Sequence, residues 1–211
     1  MADIILDTQV PPSTPGANTG VVFVDSVSKQ GVIKNDTGRA FSLPGEIRNW
    51  NTADVTANAV DTYITGSNLS IPAHLMQVGT TFRWKFVLTK TAAGVAAPIW
   101  VVRVGTAGSA ADTARLTFTQ VAAQTAAVDA GVYEIDAVLR NVGAAGVLAG
   151  GLRMNHVLAT TGLSTLGANV QQVTSAGFDT TVASTIVGVS VNPGALGVFT
   201  IQVVSAQALN L

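Results

Sequence analysis

The segment Thr80–Lys90 alternates large apolar side chains with polar or smaller ones over the full length of a strand. The apolar series is Phe82, Trp84, Phe86 and Leu88, and the intervening series is Arg83, Lys85, Val87 and Thr89. Successive side chains of a strand point to opposite faces, so three aromatic rings share one face of a sheet. The pattern predicts a core strand whose other face meets water or a polar neighbour. A chain built around such a strand has to bury these rings between two layers.

The composition predicts a surface that carries few charges. Charged residues make up 11% of the 211-residue chain, against roughly 25% in typical soluble domains, and 48% of the residues are hydrophobic, many of them Ala and Val. Large uncharged surfaces tend to associate, which favours a protein that hides part of its surface in an assembly. The alternative is a monomer kept soluble by Thr, Ser, Asn and Gln.

Several functional classes are disfavoured by the residues that the chain lacks. The net charge of -1 leaves no basic field for nucleic acid, and the absence of cysteine removes disulfides, thiolate metal sites and cysteine nucleophiles. The start of the chain has no signal-peptide profile, and no apolar run reaches the ~18 residues that span a bilayer. We therefore expect a protein made in the cytoplasm, with neither nucleic acid nor membrane as a partner.

Strand signals recur from residue 62 to the end of the chain and predict a single sandwich domain over 62–211. The predicted strands are Thr62–Ile71, Thr80–Lys90, Ile99–Gly105, Ala114–Gln120, Val132–Arg140, Val147–Leu158, Thr185–Val191 and Val198–Ala206. Eight strands with Gly-rich links predict an all-β fold, an eight-stranded jelly-roll sandwich. An immunoglobulin-type Greek key is the nearest alternative, although that fold is smaller and usually has seven or nine strands.

The first 61 residues have a different character. Three prolines within Pro11–Pro15 predict an extended arm, and short strands with turn signals follow up to Pro44-Gly45, so residues 1–45 are interpreted as an arm with a small β-module. Alternation disappears over residues 46–61, which are interpreted as a linker or short helix. A module of this size has to lean on a partner or on its symmetry mates.

Two of the predicted strands, Ile99–Gly105 and Thr185–Val191, are largely apolar on both faces. A single sandwich buries one face of each sheet, so the outer face of one sheet needs a further cover. In a jelly roll this cover is commonly a neighbouring subunit, and together with the low charge it predicts a homotrimer.

No catalytic, cofactor-binding or metal-binding residues are predicted, and we expect a protein that is not an enzyme. The two histidines, His74 and His156, have no second ligand at close spacing and are interpreted as structural or surface residues. Glu134 and Asp136 lie two positions apart on one strand face. They could mimic a catalytic carboxylate pair, but the polar face of a solvated strand is the simpler interpretation.

The aromatic residues leave one alternative open. Phe82, Trp84 and Phe86 would form a sugar-stacking platform if they faced water, whereas core packing is favoured because exposing three large rings is costly. Trp50 and Trp100 each lie at the edge of an element and are not assigned to the core by this argument. Trp100 is the candidate glycan contact under the carbohydrate-binding alternative.

The residue pattern also resembles a family of tailed-bacteriophage virion proteins. The run Pro11-Pro-Ser-Thr-Pro-Gly, then Val22-Phe-Val-Asp and Lys34-Asn-Asp-Thr-Gly38, resembles the short N-terminal module of phage head-fibre, decoration and tail-fibre proteins. Later stretches resemble the jelly-roll domain of such proteins. They are Asp61–Pro72, Val78–Trp84, Lys90–Gly94, Arg103–Thr106, Thr174–Asp179 and Val187–Asn192.

The resemblance implies a non-enzymatic, usually trimeric structural protein of the virion. The chain has no heptads and no collagen-like repeat, which favours a capsid cement or decoration protein over a tail fibre. The implied partner is the major capsid protein shell, or a fibre or tail protein, and the implied location is the outer capsid surface. The implied anchoring residues are Val22, Phe23, Arg39 and Phe41. The alternative is a fibre-tip or receptor-binding jelly roll that recognises host surface glycans.

Overall fold

The computed structural model describes residues 8–9, 14, 20–25, 31–35, 40–43, 46–57, 60–72, 75–182, 184–194 and 198–211, and all statements on structure refer to these. They contain sixteen strands and no helix, so none of them forms a helix that could cross a membrane. The first four strands form a sheet of their own, in the order in which they occur. They are β1 (Thr8–Gln9), β2 (Gly20–Asp25), β3 (Gly31–Asn35) and β4 (Ala40–Leu43).

The other twelve strands form two antiparallel sheets. In chain order they are β5 (Glu46–Asn51), β6 (Val55–Ala57), β7 (Thr62–Tyr63), β8 (Leu69–Pro72), β9 (Thr81–Lys90), β10 (Ile99–Gly105), β11 (Thr113–Thr119), β12 (Asp129–Asn141), β13 (Val147–His156), β14 (Ala168–Thr174), β15 (Ser184–Asn192) and β16 (Phe199–Leu209). The larger sheet has the order β14-β13-β12-β9-β16-β5, with β6 also paired to β16. The smaller has the order β11-β10-β15-β7, with β8 also paired to β15.

The pairing of these strands is nested, which confirms the predicted jelly roll. β5 and β6 pair with the last strand β16, and β7 and β8 pair with β15. Further inside, β9 pairs with β12, and β10 with β11. A long antiparallel hairpin wound up in this way gives the two sheets of a jelly roll. The β13 and β14 strands lie outside the winding and extend the larger sheet beyond β12.

The core lies between the two sheets and is built around β9, as the alternation predicts. Phe82, Trp84, Phe86 and Leu88 are all buried, so these rings do not form an exposed platform. The indole Nε1 of Trp84 donates to the carbonyl of Ser67 at 2.8 Å, which satisfies its polar atom inside the core. Phe86 packs against Trp100 of the opposite sheet, with ring centroids 5.0 Å apart.

The interpretation of residues 46–61 as a linker or short helix is wrong for the strands β5 and β6, which form an edge of the larger sheet. The alternation of β5 is hidden because Ile47 is its one buried apolar residue. The inward-facing Asn49 is polar and bonds through Nδ2 to the carbonyl and side-chain oxygens of Asn68, at 2.8 and 2.9 Å. The β14 strand has no recognisable apolar alternation for a similar reason, since Asn169 is buried while Val170 is exposed.

The outer face of β15 is covered by the chain itself and not by a subunit. Tyr63 lies so close over Gly188 that a Cβ atom there would collide with the phenol ring. Ser190, the next outward residue, is fully buried, and its hydroxyl accepts from Arg103 Nε at 2.7 Å. Arg103 also pairs with Asp61. Burial raises the pKa of Tyr63 to about 12, and Asp112 adds to this shift. No neighbouring subunit is therefore needed to bury this part of the sheet.

Candidate functional site

The predicted anchoring residues fall on the separate N-terminal sheet. Val22 and Phe23 are neighbours on β2 and point to opposite faces: Val22 is exposed, whereas Phe23 is buried beside its cross-strand partner Val32. Phe41 lies on β4 opposite Ile33, and Arg39 lies outside the described residues. Of the four, Val22 is the residue whose side chain the structure shows on the surface.

Trp100 cannot act as the predicted glycan contact, because its side chain is fully buried between the sheets. Its ring stacks on Tyr133 with centroids 4.6 Å apart. Trp100 is the first inward-facing residue of β10, followed by Val102 and Val104 at alternate positions. The exposed tryptophan is Trp50, on the edge strand β5, with 69% of its surface accessible.

The interpretation of His156 as a structural residue is confirmed. Its side chain is buried, with Nδ1 2.6 Å from a carboxylate oxygen of Asp129 and Nε2 2.9 Å from the carbonyl of Leu166. A carbonyl oxygen only accepts, so Nε2 carries a proton. His74 lies outside the described residues. Within those residues no group of three or more His, Asp or Glu side chains is arranged to hold a metal ion.

Asp129 is the centre of a buried polar cluster formed with His156 and Lys90. Its carboxylate accepts from the backbone N–H groups of Ala130, Leu158 and Leu163 at 2.8, 3.2 and 2.9 Å. Burial alone would raise the pKa of Asp129, but the hydrogen bonds from Leu163, His156, Ala130 and Leu158 outweigh it and hold the pKa below its usual value. The carboxylate thereby fixes the loop between β13 and β14.

Lys90 fixes two more loops from the same cluster. Its ammonium donates to the carbonyls of Thr91, Ala93 and Thr125 at 2.8, 2.8 and 2.9 Å, which uses its three protons. Burial lowers the pKa of Lys90, and the charge of Asp129 opposes part of that shift. The loops 91–98, 120–128 and 157–167 are thus tied to one buried centre.

These three loops form one end of the sandwich, which we call the uncharged end. They contain no Asp, Glu, Lys or Arg. Thr125 N donates to the carbonyl of Gly162 at 2.9 Å, and Gln124 Nε2 donates to the carbonyl of Ala96 at 2.9 Å, so the loops support one another. Apolar side chains project from them into solvent. They are Val95, Val121, Val128, Val157 and Leu166, with exposures of 61%, 72%, 68%, 76% and 47%.

A second surface, which we call the polar sheet face, lies on the outer side of the larger sheet. A depression of about 340 Å³ is lined by Arg83, Lys85, Glu134, Asp136, Arg153, Ser205 and Gln207, and by Trp84 beneath them. Asp136 pairs with Arg83 Nε at 3.2 Å and with Arg153 at 2.7 Å. Glu134 and Asp136 therefore belong to the polar face of a solvated sheet, as predicted.

Comparison with solved structures gives weak similarities, among them the following two. A protein of unknown function from Shewanella oneidensis MR-1 is 10% identical, with 78% of this chain and 87% of that chain covered and a TM-score of 0.36. The CBM2 module of the evolved Dit of Lactobacillus casei BL23 phage J-1 is 11% identical, with coverages of 78% and 90% and a TM-score of 0.27. Scores this low carry no argument about function. No family model and no curated protein matches the sequence.

Proposed function

We propose that this chain is a non-enzymatic structural protein of a tailed-phage virion that coats the outer surface of the head as a homotrimeric capsid decoration protein. The observation that carries the proposal is the uncharged end, where apolar side chains project from loops that a buried cluster holds in place. Such a surface favours association with protein over solvation. The resemblance of the N-terminal module to phage head and fibre proteins supplies the virion setting.

The proposal divides the work between two parts of the chain. Residues 1–45 bind the capsid shell, with Val22 as an exposed contact on β2, and the jelly roll projects outward. Three linked arms would hold far more tightly than one, because the second and third contacts become intramolecular. The uncharged end packs against its copies around the trimer axis, since identical uncharged surfaces can meet without unpaired charges.

The trimer is tested by light scattering at micromolar concentration. We expect three chains for the wild type and dissociation for the double variant Val121→Lys, Val157→Lys, which places two charges on the uncharged end. The matched control is Val78→Lys, an exposed valine in the turn before β9, at the opposite end of the sandwich. A wild-type monomer, or a trimer unchanged in the double variant, would contradict this assembly.

Attachment to the head is tested by pelleting with undecorated capsids. We expect the full-length chain to sediment with capsids and the chain lacking residues 1–45 to remain in the supernatant. The Val22→Asp variant should reduce the bound fraction, whereas Val170→Asp on β14 should leave it unchanged. If the truncated chain decorates capsids as well as the full chain, the sandwich itself carries the attachment.

A glycan-binding fibre tip is the second candidate function, and one observation favours it. Trp100 is excluded as the contact, but Trp50 is an exposed tryptophan beside the polar sheet face. This candidate does not depend on the capsid role, because a decoration protein can also present a binding surface to the host.

A further inference from the structure

We infer that the polar sheet face, together with Trp50, binds a neutral oligosaccharide. This inference rests on the second candidate function, whose site and ligand class it names, and it uses none of the residues assigned to capsid attachment or to the trimer. The chain has three tryptophans, and two of them, Trp84 and Trp100, are buried in the core. Trp50 is therefore the tryptophan whose ring is accessible for stacking against a ligand.

The position of Trp50 is fixed by the sheet. Trp50 lies opposite Ser205 on β16, and Ser205 lies opposite Lys85 on β9. Residues directly opposite one another in an antiparallel pair point to the same face, so the indole stands on the face that carries the depression. The backbone N–H of Trp50 donates to Asn49 Oδ1 at 2.9 Å, which further fixes the strand at this point.

Two rows of polar side chains run across the sheet away from this edge. The first row is Trp50, Ser205, Lys85, Glu134 and Arg153, and the second is Arg48, Gln207, Arg83 and Asp136. Neighbouring strands lie about 4.8 Å apart, so the four steps of the first row span roughly 19 Å. An extended ligand can therefore contact the indole and the central side chains at once.

The side chains in these rows suit hydroxyl groups. Arg83 and Arg153 hold the carboxylate of Asp136 between them, which fixes two donor groups and one acceptor group on a rigid sheet. A sugar hydroxyl both donates and accepts, so paired guanidinium and carboxylate groups can bind it from two sides. The apolar face of a sugar ring packs on the indole.

The charge balance favours a neutral ligand over a polyanion. The depression is lined by the cations Arg83, Lys85 and Arg153 and the carboxylates Glu134 and Asp136. The excess of one positive charge is small, and both carboxylates would repel a phosphate or sulfate polymer. The ligand class is therefore an uncharged oligosaccharide.

The test begins with the full-length protein on an array of neutral and acidic oligosaccharides, followed by titration with the best neutral one. We expect Trp50→Ala and Asp136→Asn each to weaken binding about tenfold or more, because an aromatic anchor or a fixed acceptor is lost. Both positions are solvated, so the melting temperature reports whether the fold is intact. Trp50→Phe should keep part of the affinity, and Val157→Ala on the uncharged end serves as the control.

Tryptophan fluorescence supplies an independent readout. Trp50 is the exposed tryptophan, so acrylamide quenching of the wild type should fall when the oligosaccharide binds, and Trp50→Phe should lack this change. The inference is overturned if no neutral oligosaccharide binds, if binding survives both substitutions, or if binding is confined to acidic oligosaccharides and is lost at high salt. None of these outcomes bears on the capsid pelleting result, so the two proposals fail separately.

Discussion

Asp129 and Asp136 lie on the same strand, yet they belong to regions with opposite character. Asp129 is buried at the start of β12, and its charge is used up in binding His156 and three backbone N–H groups. Asp136 lies farther along β12 in the open, between Arg83 and Arg153. Asp129 supports the loops of the uncharged end, whose exposed surface carries no charge. Asp136 is itself part of the charged surface of the polar sheet face.

The difference shows how a chain with few charges distributes them. At the uncharged end the ionisable groups lie beneath the loops, where they fix backbone and leave the exterior apolar. On the polar sheet face they stand on regular strands that need no such support. A buried charge with full hydrogen bonding is costly to disturb, whereas an exposed ion pair contributes little to stability. The two regions should therefore respond differently to the same substitution.

The largest loss of stability is expected for a core residue on β9, the strand that contributes to both regions. Trp84 lies in the core beneath the polar sheet face, on the strand that ends in Lys90. Trp84→Ala should lower the free energy of unfolding by about 3 to 5 kcal/mol, through lost burial and the cavity left behind. Thermal or urea unfolding measures it. An unchanged melting temperature would mean that the indole does not face the core.

The next effect separates the two regions. Asp129→Ala should lower the free energy of unfolding by about 3 kcal/mol, because it leaves a buried imidazole and several N–H groups without their acceptor. The matched change, Asp136→Ala, removes a carboxylate from the same strand in a solvated place. Urea unfolding of the two variants measures both losses. Equal losses in the free energy of unfolding would contradict the difference between a buried Asp129 and a solvated Asp136.

A third prediction concerns acid. The pKa of Asp129 in the folded chain lies below its ordinary value, so its stabilising contribution is present above the unfolded-state value of about 3.9 and is lost as the pH falls through the folded-state pKa. Lys90 keeps its charge across this range. We expect the free energy of unfolding to drop below about pH 4 in the wild type and in Asp136→Asn, and to drop less in Asp129→Asn. Urea titrations at neutral pH and near pH 3 provide the measurement.

The smallest change in stability should come from the exposed ion pairs of Asp136 with Arg83 and Arg153. Asp136→Ala is expected to change the free energy of unfolding by about 0 to 1 kcal/mol, because solvent screens both of its partners. High salt should shrink even this difference. Unfolding at low and high salt decides the point, and a loss that persists at high salt would indicate a structural role for the pair.

The sequence was sufficient for the core and for the fold class. Alternation placed Phe82, Trp84 and Phe86 on one buried face, and the spacing of strand signals predicted the jelly roll. The same alternation also predicts the exposure of two further residues. Lys90 continues the even-numbered inward series of β9, and Trp50 shares its parity with the polar residues Glu46 and Arg48 of β5. Residues at alternate positions of a strand share a face, so this spacing predicts that Lys90 is buried and Trp50 is exposed.

Other features leave no local signal in the sequence. The first strand of the winding, β5, has one buried apolar residue and one half-buried amide on its inner face, so neither its alternation nor its composition marks it as a strand. The three loops of the uncharged end are far apart in sequence and meet only because the sheets bring their ends together. The cover over β15 likewise comes from Tyr63, whose contact with Gly188 depends on the register of β7.

The nested pairing has a consequence for how the chain is made. During synthesis β10 and β11 can pair as soon as they emerge, whereas β5 has to wait for β16, the last of the described strands in chain order. Pairings of long sequence separation form late because closing the intervening loop costs entropy. Pulsed hydrogen exchange during refolding should show β10–β11 amides protected before those of β5. Until β16 has been made, β5 has no partner strand and β9 lacks one of its two neighbours, so a chain arrested before β16 would expose the backbone edges of both strands.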